Sequence, residues 1–564
     1  MKSSNKHISL WRISTTALLM WALIGFILYP ALKTLQISLM KDGAASLANY
    51  IDFFKIPAYS SALMNSIVLG ILTVLVCGVI GTFLAFVVHF FENPYGKLLD
   101  KLLLLPVVLP GLIIVFAFVQ LYGESGLVTS AVQDLLGIEN MEFRFAGLSG
   151  ILFVHAYTQY VYFYMNVSIA IKHIDRSAIE AGRNLGASKL KIFTSIIVPF
   201  IKPALIASGI ITFMTGVGSF SAPSIIGGSY KVMTTQILLS KANNFMDIAA
   251  TQVILLMAVS LIYLFIFRLY ENKNTFNSSV KGVALKPVKI KSGPVKALTV
   301  VFSAVLALSI LLPIITIVVL SFVEPGTWMI DIYPSEFSLD NYIRIFTKSR
   351  SLAPFLNSSA MALITAGLCI IVAVPASYIV VKTDSKLKAL IEMLVMLPWA
   401  IPASAIGINM INAFNRPTIF TINRILVGEY MLLPIAYGVC LLPLMFRTTS
   451  ISFQNLNDSF IEASKSLRAK SFQTFRRVVL PMIRPGIVGG TMLIIIRSMG
   501  EYTVSVFLYT TRNKPISIAM VNGIFEYEIG LAMAYGALVV ILALGVGIFV
   551  NKLMSYSGAS ISTK

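Results

Sequence analysis

Long apolar runs separated by short polar stretches organise the chain. A helix needs about 20 mostly apolar residues to cross the hydrocarbon core of a bilayer, and twelve runs reach roughly that length. Six lie near 13–32, 64–88, 102–122, 147–171, 194–217 and 249–269, and six near 297–322, 357–381, 389–411, 430–448, 487–508 and 530–551. The stretch between the sets, 270–296, is poor in apolar residues and rich in Lys. The pattern predicts an all-α polytopic membrane protein of about twelve transmembrane helices, with a domain over 1–269, a linker over 270–296 and a domain over 297–564. The first run follows Lys2, Lys6 and Arg12, as the core of a signal peptide would. It continues through Pro30 to Leu39 without a small-residue cleavage site, so it reads as a signal anchor.

Composition narrows this further. Hydrophobic residues make up 57% of the 564 and charged residues only 12%, about half the usual share in soluble domains. A net charge of +20 would point to nucleic acid in a soluble chain, but this apolar content excludes that partner. Disordered and collagen-like classes fall too, since 36 Gly and 23 Pro are close to average usage. Cys77, Cys369 and Cys440 sit far apart inside apolar runs, which argues against a disulfide framework or a metal site.

The positive charge has a place. Lys and Arg in short loops mark the cytoplasmic side. With the N-terminus inside, the inner loops hold Lys97 and Lys101, then Lys172, Arg176, Arg183, Lys189 and Lys191, then Lys382, Lys386 and Lys388, then Arg468, Lys470, Arg476 and Arg477. The linker adds Lys273, Lys281, Lys286, Lys289, Lys291 and Lys296 against Glu271. An outer loop carries Glu124, Asp134, Glu139 and Glu142. Both termini are therefore expected in the cytoplasm, with the basic loops also attracting anionic lipid headgroups.

The two sets of runs are related in sequence. Ser46-Leu-Ala-Asn-Tyr50 returns as Ser338-Leu-Asp-Asn-Tyr342, and Asn65-Ser66 as Asn357-Ser358. Pro106 and Pro110 return as Pro398 and Pro402. Further on, Ile179-Glu-Ala181 matches Ile461-Glu-Ala463, Pro199 and Pro203 match Pro481 and Pro485, and Gly218 matches Gly500. An even number of spans per copy makes the repeats parallel. The expected architecture is a pseudo-twofold pair of six-helix units with a cavity between them, where transporter sites usually lie.

The most informative segments precede the fifth and eleventh runs. Each contains Ser-x-x-Glu, Ser177 to Glu180 and Ser459 to Glu462, a pattern that predicts a capping box starting a short helix at the membrane surface. In both copies Glu-Ala is followed by Ala seven residues after the Glu, Phe thirteen after, and Pro nineteen and twenty-three after. Gly186 is placed to end the first helix. Recurrence at corresponding places favours a docking device over a mere interfacial stabiliser.

This doubled pattern resembles the "EAA" loop of bacterial ABC-importer permeases, the binding-protein-dependent transport family, in the form that fuses both permease halves in one chain. Tyr437 to Pro443 and Gly500-Glu501-Tyr502 resemble flanking segments of that family. The resemblance implies that the loops are coupling helices seated on separate ATP-binding-cassette ATPase subunits, two copies in all. It assigns contact or capping roles to Glu180, Ala181, Gly186, Glu462 and Ala463, with Arg468 standing where the family usually has Gly. It further implies an extracytoplasmic substrate-binding protein that does most of the selecting, and a location in the cytoplasmic membrane. The chain lacks a Gly-x-x-x-x-Gly-Lys-Ser/Thr phosphate loop, so it is expected to be a transport subunit with no catalytic residues and no cofactor.

Ionisable groups inside spans are costly and point to function. Arg497 and Glu501 are four apart in the eleventh run, at the spacing of a helical ion pair. They read either as an internal lock or as a gate or polar wall of the pathway. Thr215 and Ser219 occupy the matching first-half places, so the pair breaks the repeat. Gly218 and Gly500 are candidate hinges or close-contact points. His155, beside Gln159 and several Tyr, reads as a satisfied interior group. By resemblance of arrangement, iron(III) ranks first as cargo, then 2-aminoethylphosphonate or thiamine. A twelve-span ion-coupled secondary transporter is the main rival. It would show a basic signature after its second span, which His89-Phe-Phe-Glu-Asn-Pro-Tyr-Gly-Lys97 lacks. A membrane enzyme is disfavoured by a chain with only four His.

Overall fold

The computed structural model describes residues 10–138, 144–273, 292–326 and 333–556, together with Pro287. Among these, ten helices are long and apolar enough to cross a membrane, and a bent pair makes an eleventh. Helix Gly147–Lys172 has 26 residues, about 39 Å at 1.5 Å per residue. It is less apolar because it carries His155, Gln159 and four Tyr. With it, every apolar run of the sequence has a helical counterpart. Most of the expected linker lies outside the described residues; its ends extend helices Met246–Lys273 and Gly293–Ser321.

Four runs are broken, within the run or at its end, and proline or glycine stands at each break. Over 102–122 there is no straight span: helix Gly96–Leu102 gives way to a turn, Leu105–Val108, and a new helix, Gly111–Tyr122, begins after Pro110. The matching second-half run, Lys388–Ala400 and Ala403–Phe414, is bent by 113° just before Pro402. Proline lacks the amide that would continue the ladder and clashes with the preceding turn. The eleventh run also divides, because helix Leu480–Met499 ends at Gly500 and a short helix, Thr503–Leu508, follows. The first half does the same after Val198–Val217, with Gly218 and then Ser221–Ile226.

The internal repeat extends to single hydrogen bonds. Asn49 Nδ2 donates to the carbonyls of Ser38 and Met40, and Asn341 Nδ2 to those of Ser321 and Val323. Tyr50 and Tyr342 bond Ser38 and Ser321 through their hydroxyls at 2.8 and 2.7 Å. Asn65 donates to the Lys231 carbonyl and Asn357 to that of Lys514. Ser66 and Ser358 accept the amides of Met233 and Ile516 at 2.7 and 2.8 Å. The short motifs duplicated in sequence are thus polar pins that fix matching loops in each half.

The halves interlock rather than merely abut. Helix Tyr29–Ser38 of the first packs on Ala403–Phe414 of the second, where Asn412 Nδ2 donates to Thr34 Oγ1 at 3.2 Å. Helix Gly293–Ser321 of the second packs on Gly111–Tyr122 of the first, and Tyr157 in helix Gly147–Lys172 donates its hydroxyl to the Ile310 carbonyl at 2.7 Å. One buried apolar cluster runs through both halves, from Leu23 and Leu112 to Met361 and Ala436. Lipid tails are as apolar as leucine, so van der Waals fit and buried hydrogen bonds hold such contacts.

Candidate coupling loops and central cavity

The two loop helices are Arg176–Asn184 and Asp458–Ser466. Their caps differ from the expected Ser-x-x-Glu boxes. Asp175 caps the first, accepting the Ser177 amide at 2.9 Å, and Asn457 caps the second, accepting the Ser459 amide at 3.0 Å. Asp and Asn are among the strongest caps, and they sit two residues before the serines. Glu180 does not reach back to the cap but pairs with Arg176 Nε at 2.6 Å, one turn away. Glu180, Ala181, Glu462 and Ala463 are all exposed.

Both helices end in the same left-handed turn. Gly186 has φ +77°, and Arg468 reaches φ +56° at the equivalent place. Their amides donate to Arg183 and Lys465, and the next amides, of Ala187 and Ala469, donate to Gly182 and Ser464. Arg468 therefore keeps the turn geometry that glycine would supply. Short helices Lys189–Ile192 and Ser471–Thr474 follow. Each passes through one π turn, Phe193–Ile197 or Phe475–Val479, into a membrane helix whose first turn holds Pro199 or Pro481.

Sequence reasoning missed four apolar residues on these loops. Leu185 and Leu467 are 88% and 83% exposed, and Leu190 and Phe472 are 72% and 71% exposed. Each pair is separated by 282 positions, the offset that relates the two loops. The available signal was a large apolar residue repeated at that offset inside an otherwise polar loop. Nearly bare leucines at matched places point to a surface that another protein covers.

A second feature lies between the halves. A cavity of about 220 Å³ is bordered by Pro106, Gly111, His155, Thr158, Gln159, Thr215, Gly218 and Ser219 of the first half and by Arg497 and Thr503 of the second. His155 is a satisfied wall residue, with Nδ1 bonded to Thr73 Oγ1 at 2.8 Å and Nε2 to Ser219 Oγ at 2.9 Å. Thr215 donates to Gln159 Oε1 at 2.7 Å. Arg497 is exposed although it sits in the last turn of a membrane helix.

The ion pair suggested by the Arg497–Glu501 spacing does not form. Because the helix ends at Met499, Glu501 no longer lies one turn below Arg497. Its Oε1 instead accepts the Val504 amide at 3.0 Å and caps the next helix. Among the described residues, Arg497 makes no ion pair within 4.0 Å.

Gly218 and Gly500 form a reciprocal contact across the halves. A Cβ on Gly218 would meet Pro402 Cβ at 3.5 Å, whereas a Cβ on Gly500 would overlap the Pro110 ring. The four positions matched in sequence, two Pro and two Gly, thus face each other crosswise beside the cavity. No group of three His, Cys, Asp or Glu among the described residues is placed to hold a metal ion.

Comparison with known proteins agrees with this geometry. The family model described as "Binding-protein-dependent transport system inner membrane component" matches twice, at residues 78–274 and 367–562. A "Probable ABC transporter permease protein" of Sinorhizobium fredii is 28% identical over 94% of this chain and 95% of its own. The "Fe(3+)-transport system permease protein FbpB 2" of Haemophilus influenzae is 26% identical over 93% of this chain and 94% of its own. The "Ferric transport system permease protein FbpB" of Actinobacillus pleuropneumoniae is 26% identical over 79% of this chain and 64% of its own.

Proposed function

The chain belongs to the family of binding-protein-dependent transport system inner membrane components, and we propose that it is the complete pore of an ABC importer for iron(III). One polypeptide supplies both permease halves, 1–269 and 297–564, joined by a cytoplasmic linker over 270–296. Both termini lie in the cytoplasm. Two copies of a separate ATPase seat on the loops around Glu180–Gly186 and Glu462–Arg468, and an extracytoplasmic binding protein delivers the cargo. ATP-driven closure of the ATPases pushes the two loop helices together, and each moves the membrane helix that follows it. The halves then rock about the crossed contacts of Gly218 with Pro402 and Gly500 with Pro110, opening the central cavity to one side at a time. Iron(III) is favoured because two relatives that align along most of this chain are named for ferric transport; 2-aminoethylphosphonate and thiamine follow.

The observation that carries this reading is the doubled loop, with equal turn geometry and equal apolar exposure in both halves. A two-loop variant, Glu180→Gln with Glu462→Gln, tests it in proteoliposomes that hold the chain, its ATPase and its binding protein. Binding-protein-stimulated ATP hydrolysis and uptake should fall together, to about a tenth or less if each lost charged hydrogen bond contributes its usual share. Survival of both activities at the unmodified level would remove the loops from the coupling path.

A further inference from the structure

From the central cavity we infer that the transported species enters the membrane interior as an oxyanion, held by Arg497. The inference rests on the permease reading above and adds the chemical class of the solute. It stands on the charge inventory of the cavity. Arg497 brings a permanently charged guanidinium, exposed to the space and free of any carboxylate within 4.0 Å among the described residues. No Asp or Glu borders the cavity. Glu501, the nearest candidate counter-ion by sequence, makes no ion pair with Arg497 within 4.0 Å and spends its Oε1 on the Val504 amide, capping the helix that starts at Thr503.

Several neighbours fit an oxygen-rich guest. Ser221 and Thr503 bring hydroxyls to the border that can donate as well as accept, beside Thr158, whose hydroxyl donates to the Val154 carbonyl at 2.8 Å. Gly111 opens the first turn of a 12-residue helix onto the same space, and a Cβ there would meet nothing within 4 Å. Backbone amides at such a terminus favour negative charge. Guanidinium pairs with the two oxygens of a carboxylate, phosphate or phosphonate in a planar fork. A bare ferric ion or thiamine, both cationic, would be repelled. Iron can pass this point only inside a shell of anionic oxygen ligands.

The repeat supports a dedicated role. At the offset of 282, Arg497 corresponds to Thr215, and both border the same cavity. Gln159 corresponds to Leu441, which does not border it. The second half has therefore brought one cation to a space whose polar wall is otherwise mainly first-half. Arginine is costly in a membrane interior unless it faces water or a ligand, and a structural lock would have kept a counter-ion.

The test uses the chain assembled with its ATPase in lipid nanodiscs and methylphosphonate as the probe, followed by phosphorus NMR saturation transfer. Saturable binding should appear with the unmodified complex. Arg497→Gln should weaken it by about tenfold or more, the usual share of a charged hydrogen bond, while Arg497→Lys, which keeps the charge but loses the planar fork, should weaken it less than Arg497→Gln does. Choline should not compete. Competition by 2-aminoethylphosphonate alone identifies a free oxyanion, and competition by ferric citrate identifies an oxyanion carried around iron; either result supports the inference. Absence of methylphosphonate binding, equal binding by Arg497→Gln, or competition by choline overturns it. Binding-protein-stimulated ATP hydrolysis is measured alongside: its absence in the unmodified complex would strike the importer reading, whereas its presence without anion binding would strike only this inference.

Discussion

On the two loops that precede the fifth and eleventh runs, the second half copies the first closely. Asp175 and Asn457 cap the loop helices through the same amide position, Gly186 and Arg468 make the same left-handed turn, and Leu185 and Leu467 stand equally bare. In the membrane centre the copies diverge. Arg497 faces Thr215 across the repeat, Glu501 takes the place of Ser219, and the His155 bridge between Thr73 and Ser219 is replaced by a Tyr437 hydroxyl bonded to Ser505. The difference follows from what each region meets. On the proposed function, two like ATPase copies demand two like surfaces, whereas one solute between the halves meets both at once and needs each to supply only part of its shell.

The loops give the sharpest way to break that contrast. Each bare leucine that becomes covered on docking should contribute about 1.5–3 kcal/mol. Leu185→Ser and Leu467→Ser should each weaken ATPase association by about tenfold or more, by similar factors, and the double variant should abolish co-purification. Pull-down and surface-binding measurements with the purified ATPase read this directly. A silent Leu467→Ser beside a damaging Leu185→Ser would show that the loops are not equivalent and that the partner is not two copies of one subunit.

The crossed Gly–Pro contacts come next, because they are alike in sequence but unequal in fit. At Gly500 an added methyl collides with the Pro110 ring, while at Gly218 it meets its own Met214 carbonyl at 3.1 Å and Pro402 at 3.5 Å. Overpacking of a close contact costs about 1–3 kcal/mol, so Gly500→Ala should lower the thermal midpoint of the detergent-purified chain clearly more than Gly218→Ala. Adding Pro110→Gly, which removes the colliding Cβ together with the ring, should restore part of the loss in Gly500→Ala and none in Gly218→Ala. Equal losses at the two glycines, or no rescue, would remove the steric basis of the asymmetry.

Much of this was legible in the sequence because bilayer spans and duplicated motifs leave periodic, local signals. The apolar runs gave the helices, and Asn49, Asn65 and their copies flagged the pins that hold each half. What failed were features decided by where a helix stops. Arg497 and Glu501 have ion-pair spacing only if the helix passes Gly500, and it does not. Ser177 and Ser459 have the spacing of caps, but the better acceptors Asp175 and Asn457 lie two residues earlier and take the amides of the serines themselves. The 113° bend at Pro402 was signalled by paired prolines, yet a proline inside an apolar run does not state whether the span kinks or turns back. The bare leucines were visible only as a repeat, since exposure belongs to the folded loop and not to its composition.

The smallest expected effect tests how strictly the two loops are copies. Arg468 holds φ +56°, a conformation that costs a side-chain-bearing residue about 1–2 kcal/mol, whereas glycine there forfeits about 0.5–1 kcal/mol of backbone entropy. Arg468→Gly should therefore tighten the second turn by a fraction of a kcal/mol to about 1 kcal/mol, the usual range for a conformationally matched glycine exchange. Gly186→Arg should loosen the first by a similar amount, since a Cβ at Gly186 meets nothing within 4 Å and only backbone strain opposes it. Hydrogen exchange at the amides of residues 186, 187, 468 and 469 reads both, because these amides close the two turns. Slower exchange in Arg468→Gly and faster exchange in Gly186→Arg are expected. Faster exchange in Arg468→Gly would mean that contacts of the arginine side chain, and not tolerance of strain, hold the second turn, and the loops would then be alike in shape for different physical reasons.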